Sequence, residues 1–137
     1  MTINKLLEAQ KFAMSNRPKV GGFPFLAEVL RQAGVKRNIW SLPSCQSIYV
    51  TEDGNVVQQG NPLVSGTHEI PKFNQEALIK TLRKDQAGNG TFAEFLQSTW
   101  EAGVIGYEVD FIARKVVYFG ANQERYVEEY VAVEISL

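Results

Sequence analysis

The sequence predicts an α+β fold: a two-layer sandwich of about four helices packed on an antiparallel sheet, built from two helix-to-strand halves. Three observations predict it. One plan is used twice: Phe23-Pro-Phe-Leu-Ala-Glu-Val-Leu-Arg-Gln-Ala-Gly-Val35 and Phe92-Ala-Glu-Phe-Leu-Gln-Ser-Thr-Trp-Glu-Ala-Gly-Val104 have equal length, and each is an amphipathic helix stopped at Ala-Gly-Val. After each stop the apolar period changes from helical spacing to extended segments. Short turn signals then join the extended segments, which calls for hairpins rather than crossovers.

The elements follow in order. Thr2 is placed to cap a first helix to about Ser15, with Ile3, Leu6, Leu7, Ala13 and Met14 near helical spacing. Pro18 and Gly21-Gly22 break the chain, and a second helix takes Phe25, Leu26, Val29, Leu30 and Ala33 as its buried stripe. Gly34 suits the left-handed residue that ends it, because it lacks a Cβ. Val35 to Leu42 and Gln46 to Thr51 read as extended, split by Pro43, and Asp53-Gly54 turns the chain into Val56-Val57. A loop follows through Gly60-Asn61-Pro62 and Ser65-Gly66 to Pro71.

Asn74 caps a third helix to about Gln86, with Ala77, Leu78, Thr81 and Leu82 inward. Gly88-Asn89-Gly90 ends it. Thr91 with Glu94 forms a capping box for the fourth helix, whose face is Phe92, Phe95, Leu96, Thr99 and Trp100. Ile105, Tyr107, Val109 and Phe111 then alternate with Gly106, Glu108 and Asp110, the pattern of a half-buried strand. Ala113-Arg114 turns into Val116 to Phe119, Gly120 to Gln123 turns again, and Tyr130 to Ile135 reads as the last strand.

The 137 residues read as a single domain, 1–137, with 45% hydrophobic and 21% charged residues. Cys45 is the only cysteine, so no intrachain disulfide can form. Polar residues interrupt the apolar start, and no run approaches the ~20 apolar residues of a membrane helix. The expectation is a cytoplasmic protein with no membrane contact. A net charge of −1 argues against a dedicated nucleic-acid binder. The charge is unevenly spread, net +5 over residues 1–50 and net −4 over residues 101–137. Mutual neutralisation of two packed halves is the favoured reading; the other is an oriented surface for a charged partner.

The segments Phe23 to Val35, Trp40-Ser-Leu-Pro-Ser-Cys-Gln-Ser, Gly103-Val with Tyr107-Glu-Val-Asp-Phe111, and Tyr126-Val-Glu-Glu-Tyr130 resemble a small bacterial family of unknown function. Its members occur in bacterial and prophage genomes and often carry the label "phage envelope protein" (YdfO-like). The resemblance spans nearly the whole chain. It implies a compact two-layer α/β domain, and it carries over no activity, substrate or catalytic residue.

No residue set forms a recognisable catalytic constellation. His68, the sole histidine, lies beside Glu69 in a Gly/Pro-rich loop and reads as exposed. Cys45 could act as a nucleophile only beside a base, and a Cys45–His68 pair is the one Cys/His arrangement available; a buried structural thiol is favoured. Glu108 and Asp110 leave the same face of a strand, ~6–7 Å apart, with Glu128, Glu129 and Tyr118 near if the strands pair. Such carboxylates could hold a cation or divide acid and base roles, against a solvated sheet face paired with Arg114 or Arg125. The glycine-rich entries Lys19-Val-Gly-Gly22 and Gly88-Asn-Gly-Thr91 could offer helix N-termini to an anion, but neither is a P-loop, and hinge glycines are favoured. Aromatics at strand spacing usually build core.

The sequence therefore favours a non-enzymatic binding or interaction module for a protein or small-molecule ligand, with no cofactor and no metal assigned. Its candidate ligand-binding residues are Trp40, Tyr107, Glu108, Asp110, Tyr118 and Glu128, expected to meet on one acidic-aromatic face. The alternatives are a small carboxylate- and tyrosine-based or metal-assisted enzyme using Glu108, Asp110 and Glu128, and the structural phage component that the family label implies.

Overall fold

The computed structural model describes residues 2–135. Their elements are α1 (Thr2–Asn16), α2 (Gly22–Gln32), β1 (Val35–Ser41), β2 (Gln46–Thr51), β3 (Gly54–Gln59), α3 (Gln75–Gln86), α4 (Phe92–Glu101), β4 (Val104–Asp110), β5 (Lys115–Gly120) and β6 (Arg125–Glu129). Two of the helices begin where short polar side chains satisfy free N–H groups. Asn74 accepts from the Ala77 N–H at 3.0 Å. Thr91 Oγ1 accepts from the Glu94 N–H while the Glu94 carboxylate accepts from the Thr91 N–H, completing the capping box. α2 and α4 end at Gly34 and Gly103, at φ 95° and 87°.

The six strands form one antiparallel sheet in the order β3-β2-β1-β4-β5-β6. Each half of the chain therefore runs helix, helix, strand, strand, strand, and the halves join through β1 and β4. The repetition extends to fine detail. The β1–β2 and β4–β5 turns place Cys45 and Arg114 at φ 53° and 57°. The register slips between Val35 and Arg37 in β1, and between Val104 and Gly106 in β4. Reciprocal bonds tie the halves together: Leu42 N–H donates to Ile105 O and Phe111 N–H to Lys36 O, both at 3.0 Å. The central pair Ile39–Glu108 joins equivalent positions of the two halves, so the local two-fold axis passes through it.

All four helices lie on one side of this sheet. Leu6, Leu30, Leu78, Leu82, Leu96 and Trp100 pack from the helices onto Tyr49, Tyr107, Val109, Val116 and Tyr118 of the strands. This is the two-layer α+β sandwich the sequence predicts. The last strand departs from expectation. It is Arg125–Glu129, not Tyr130 to Ile135. Tyr126 and Glu128 supply its inward positions, and a charged inward residue hides the alternation from a hydrophobic reading. Residues 130–135 lie instead against α2, where the Tyr130 ring meets Phe23 edge-on at 5.1 Å and Gln32 Nε2 donates to Ile135 O at 2.9 Å.

Gly34 and Gly103 occupy equivalent positions in different surroundings. A Cβ on Gly34 would meet only the Glu52 and Lys5 side chains at 3.7–3.8 Å, whereas one on Gly103 would meet the Lys72 and Phe73 backbone at 2.5 Å. Gly34→Ala should cost about 1–2 kcal/mol from backbone strain alone. Gly103→Ala adds a steric clash and should cost about 3 kcal/mol or more. Chemical denaturation of the two variants measures this, and equal losses would contradict the packing described.

Candidate functional site

The alternation of β4 divides the predicted site residues between the two faces of the sheet. Trp40, Tyr107, Tyr118 and Tyr126 are cross-strand neighbours on the helix-covered face. They form a continuous row: Trp40 stacks on Tyr107 at 5.9 Å, Tyr107 lies 5.6 Å from Tyr118, and Tyr118 lies 6.4 Å from Tyr126. Phe92 and Phe95 of α4 close over it edge-on, at 5.6 Å from Trp40 and 6.5 Å from Tyr107. Such contacts are those of a packed aromatic core. Burial pushes the phenols of Tyr107 and Tyr118 well above the ordinary tyrosine value, so both stay protonated at neutral pH.

The row ends in a polar cluster at β6. The Glu128 carboxylate accepts from Tyr126 Oη at 2.7 Å, and Arg83 of α3 pairs with it at 2.7 Å. Gln86 Nε2 donates to it at 3.1 Å. Burial alone would raise the Glu128 pKa, but hydrogen bonds from Arg83 and Tyr126 outweigh it and hold the carboxyl below its usual value. Beside the row, Asp85 is half-buried, and burial raises its pKa.

Glu108 and Asp110 lie on the opposite face, so the expected meeting of carboxylates with Trp40, Tyr107 and Tyr118 does not occur. Glu108 pairs with Arg37 at 2.6 Å. Asp110 caps its own turn, accepting from the Ile112 and Ala113 N–H groups at 3.0 and 2.9 Å. The sheet also separates both from Glu128, and among the described residues no three His, Cys, Asp or Glu side chains gather to hold a metal ion. Cys45 is buried, donates to Leu42 O at 3.4 Å, and has its pKa raised by burial. The His68 ring donates to Ser65 O at 2.6 Å within its own loop. The two glycine-rich helix entries touch each other: a Cβ on Gly88 would come within 2.7 Å of Lys19 O. They serve close packing.

The face that carries Glu108 is not covered by any helix. Register places three rows of side chains across it. The central row is Val57, Ile48, Ile39, Glu108, Val117 and Val127. One flanking row contains Val50, Arg37, Asp110, Lys115 and Glu129; the other contains Gln46, Ser41, Phe119 and Arg125. Val57 is 61% exposed, Val127 46% and Ile48 38%. The sequence held a signal for this surface. Ile48-Tyr49-Val50, Val56-Val57 and Val116-Val117-Tyr118-Phe119 are apolar on both faces, the pattern of strands that bury both sides. Two shallow grooves lie elsewhere, one between α3 and α4 and one beside α1. They enclose about 220 and 190 Å³ including open solvent, below the several hundred Å³ that engulf a small ligand.

Fold and surface together define a helix-backed open sheet made of two similar halves. The chain belongs to the DUF1398 family, described as a protein of unknown function, whose profile matches residues 11–129. Two uncharacterised mycobacterial proteins, Rv2012 of Mycobacterium tuberculosis and Mb2035 of Mycobacterium bovis, are each 50% identical to it over 134 residues. That span covers 98% of this chain and 82% of theirs. No helix among the described residues is long and apolar enough to cross a membrane.

The Arg83–Glu128 pair makes a pH-dependent prediction. A carboxyl whose folded pKa is lowered stabilises the fold above its ordinary value of 4.5 and loses that contribution as pH falls through the folded pKa. At neutral pH Arg83→Ala should cost about 2 kcal/mol, because it leaves a mostly buried carboxylate short of a donor, and Glu128→Gln about 1 kcal/mol. Urea unfolding at neutral pH and at about pH 3 should show the Arg83→Ala penalty shrinking in acid. A penalty unchanged by pH would refute the assignment.

Proposed function

We propose that this protein is a non-enzymatic interaction module that engages a protein partner across the uncovered face of its sheet. The observation that carries this reading is the row Val57, Ile48, Ile39, Glu108, Val117 and Val127, apolar at every position but Glu108, on the face of the sheet that no helix covers. Exposed apolar residues of this kind, on both sides of the charged seam of Arg37, Glu108 and Asp110, are what partner sites present. In this reading Glu108 and Asp110 belong to the contact face. Trp40, Tyr107, Tyr118 and Glu128 support it from behind by fixing β1, β4, β5 and β6 in register.

The test is native mass spectrometry of protein purified gently from cells. The wild-type chain should carry a bound protein above its own 15.3 kDa. Ile48→Lys should lose that mass while keeping its circular dichroism, and Phe92→Lys, on the helix side, should retain it. A bare chain, or an assembly indifferent to Ile48→Lys, would refute the proposal.

A further inference from the structure

We infer that the partner on the open sheet face is a second copy of this chain, docked sheet to sheet about a two-fold axis parallel to the strands at the β1–β4 seam. The inference rests on the interaction-module reading and names its occupant. Three features of the face carry it.

The first is apolar self-match. The two-fold lays β1, β2 and β3 of one copy over β4, β5 and β6 of the other, because the sheet order is symmetric about the seam. The central row then falls on itself. Val57 of one copy meets Val127 of the other and Ile48 meets Val117, while at the seam Ile39 meets Glu108. Facing sheets pack about 10 Å apart with strands near 30° to one another, which keeps these neighbours in reach.

The second is charge. The face carries Arg37, Lys115 and Arg125 against Glu108, Asp110 and Glu129, so like faces do not repel as a whole. The same axis sets Arg37 over Asp110 of the other copy. Arg37 already holds Glu108 at 2.6 Å and would bridge both carboxylates, neutralising the one charge in the apolar row. At longer range it sets the basic first third of one chain, net +5, against the acidic last third of the other, net −4.

The third is extent. Six strands at about 4.8 Å spacing, each about 20 Å long, give a face of roughly 600 Å² in projection. Side-chain relief raises its accessible area towards the ~800 Å² per partner of a stable interface. The double-sided apolar character of β2 and β5 then has a cause: in the dimer both faces of these strands are buried.

Sedimentation velocity of the pure recombinant chain over a wide concentration range tests this. The expected result is a particle of twice the 15.3 kDa chain mass. Val57→Lys and Val127→Asp alter exposed positions on the edge strands, so both variants should fold. Each alone should weaken the dimer about tenfold or more, by burying charge without a partner. Mixing the two should restore a heterodimer, because the ammonium introduced in one variant then faces the carboxylate introduced in the other. A monomer at high concentration overturns the inference, as does a dimer that neither substitution weakens or that mixing fails to restore. The two proposals fail separately. If the pure chain is a monomer but the complex from cells is lost with Ile48→Lys, the partner is another protein and only the second copy is excluded. If both experiments show a bare monomer, both readings fall.

Discussion

The antiparallel seam between β1 and β4 is the constraint on which the rest of the structure depends. Each half brings one strand to it, delivered directly by a helix that stops at glycine. Continuous ladder bonds and the reciprocal Leu42–Ile105 and Phe111–Lys36 bonds close it. Of the four ion pairs among the described residues, Arg37–Glu108 alone joins one half to the other; Lys5–Asp53, Arg31–Glu28 and Arg83–Glu128 lie within a half. The opposite net charges of the chain's two ends therefore do little to neutralise each other inside the molecule. Backbone pairing and apolar burial hold the halves together.

The seam also decides which side the helices take. Both helix pairs approach their central strands from the same face, so the two halves share one core and leave one bare sheet surface. A sheet so arranged must stock its two faces differently. The inner face takes the tyrosines, whose rings fill the large space beneath α3 and α4. The row ends at β6, where Glu128, Arg83 and Gln86 form a polar cluster around the Tyr126 hydroxyl. Burial raises the pKa of the inner phenols, whose rings pack against one another along the row.

The outer face is more apolar than a surface meant only for water. Glu108 in its central row is compensated by Arg37, and Asp110 is engaged by its own turn, so neither carboxylate is free to form a cation site there. What remains is a broad, nearly neutral surface whose apolar residues flank the charged β1–β4 seam of Arg37, Glu108 and Asp110.

By itself the sequence determined the elements and the class of fold. The repeated Phe-to-Val segments, the Asn74 and Thr91 caps, and the stops at Gly34 and Gly103 act through neighbours a few residues away, so their meaning is local and legible. The displaced last strand was not legible, because Tyr126 and Glu128 face inward only once Tyr118 and Arg83 stand beside them. Nor was the division of the candidate residues. Strand alternation separates Tyr107 from Glu108 on any reading, but the side that the helices cover is chosen by contacts distant in sequence. Only the tertiary structure decided that Trp40, Tyr107, Tyr118 and Glu128 lie on the helix-covered side while Glu108 and Asp110 stand on an open face. The physical reason is that a sheet has two faces of equal backbone chemistry, and only the packing of α1 to α4 makes one of them the inside.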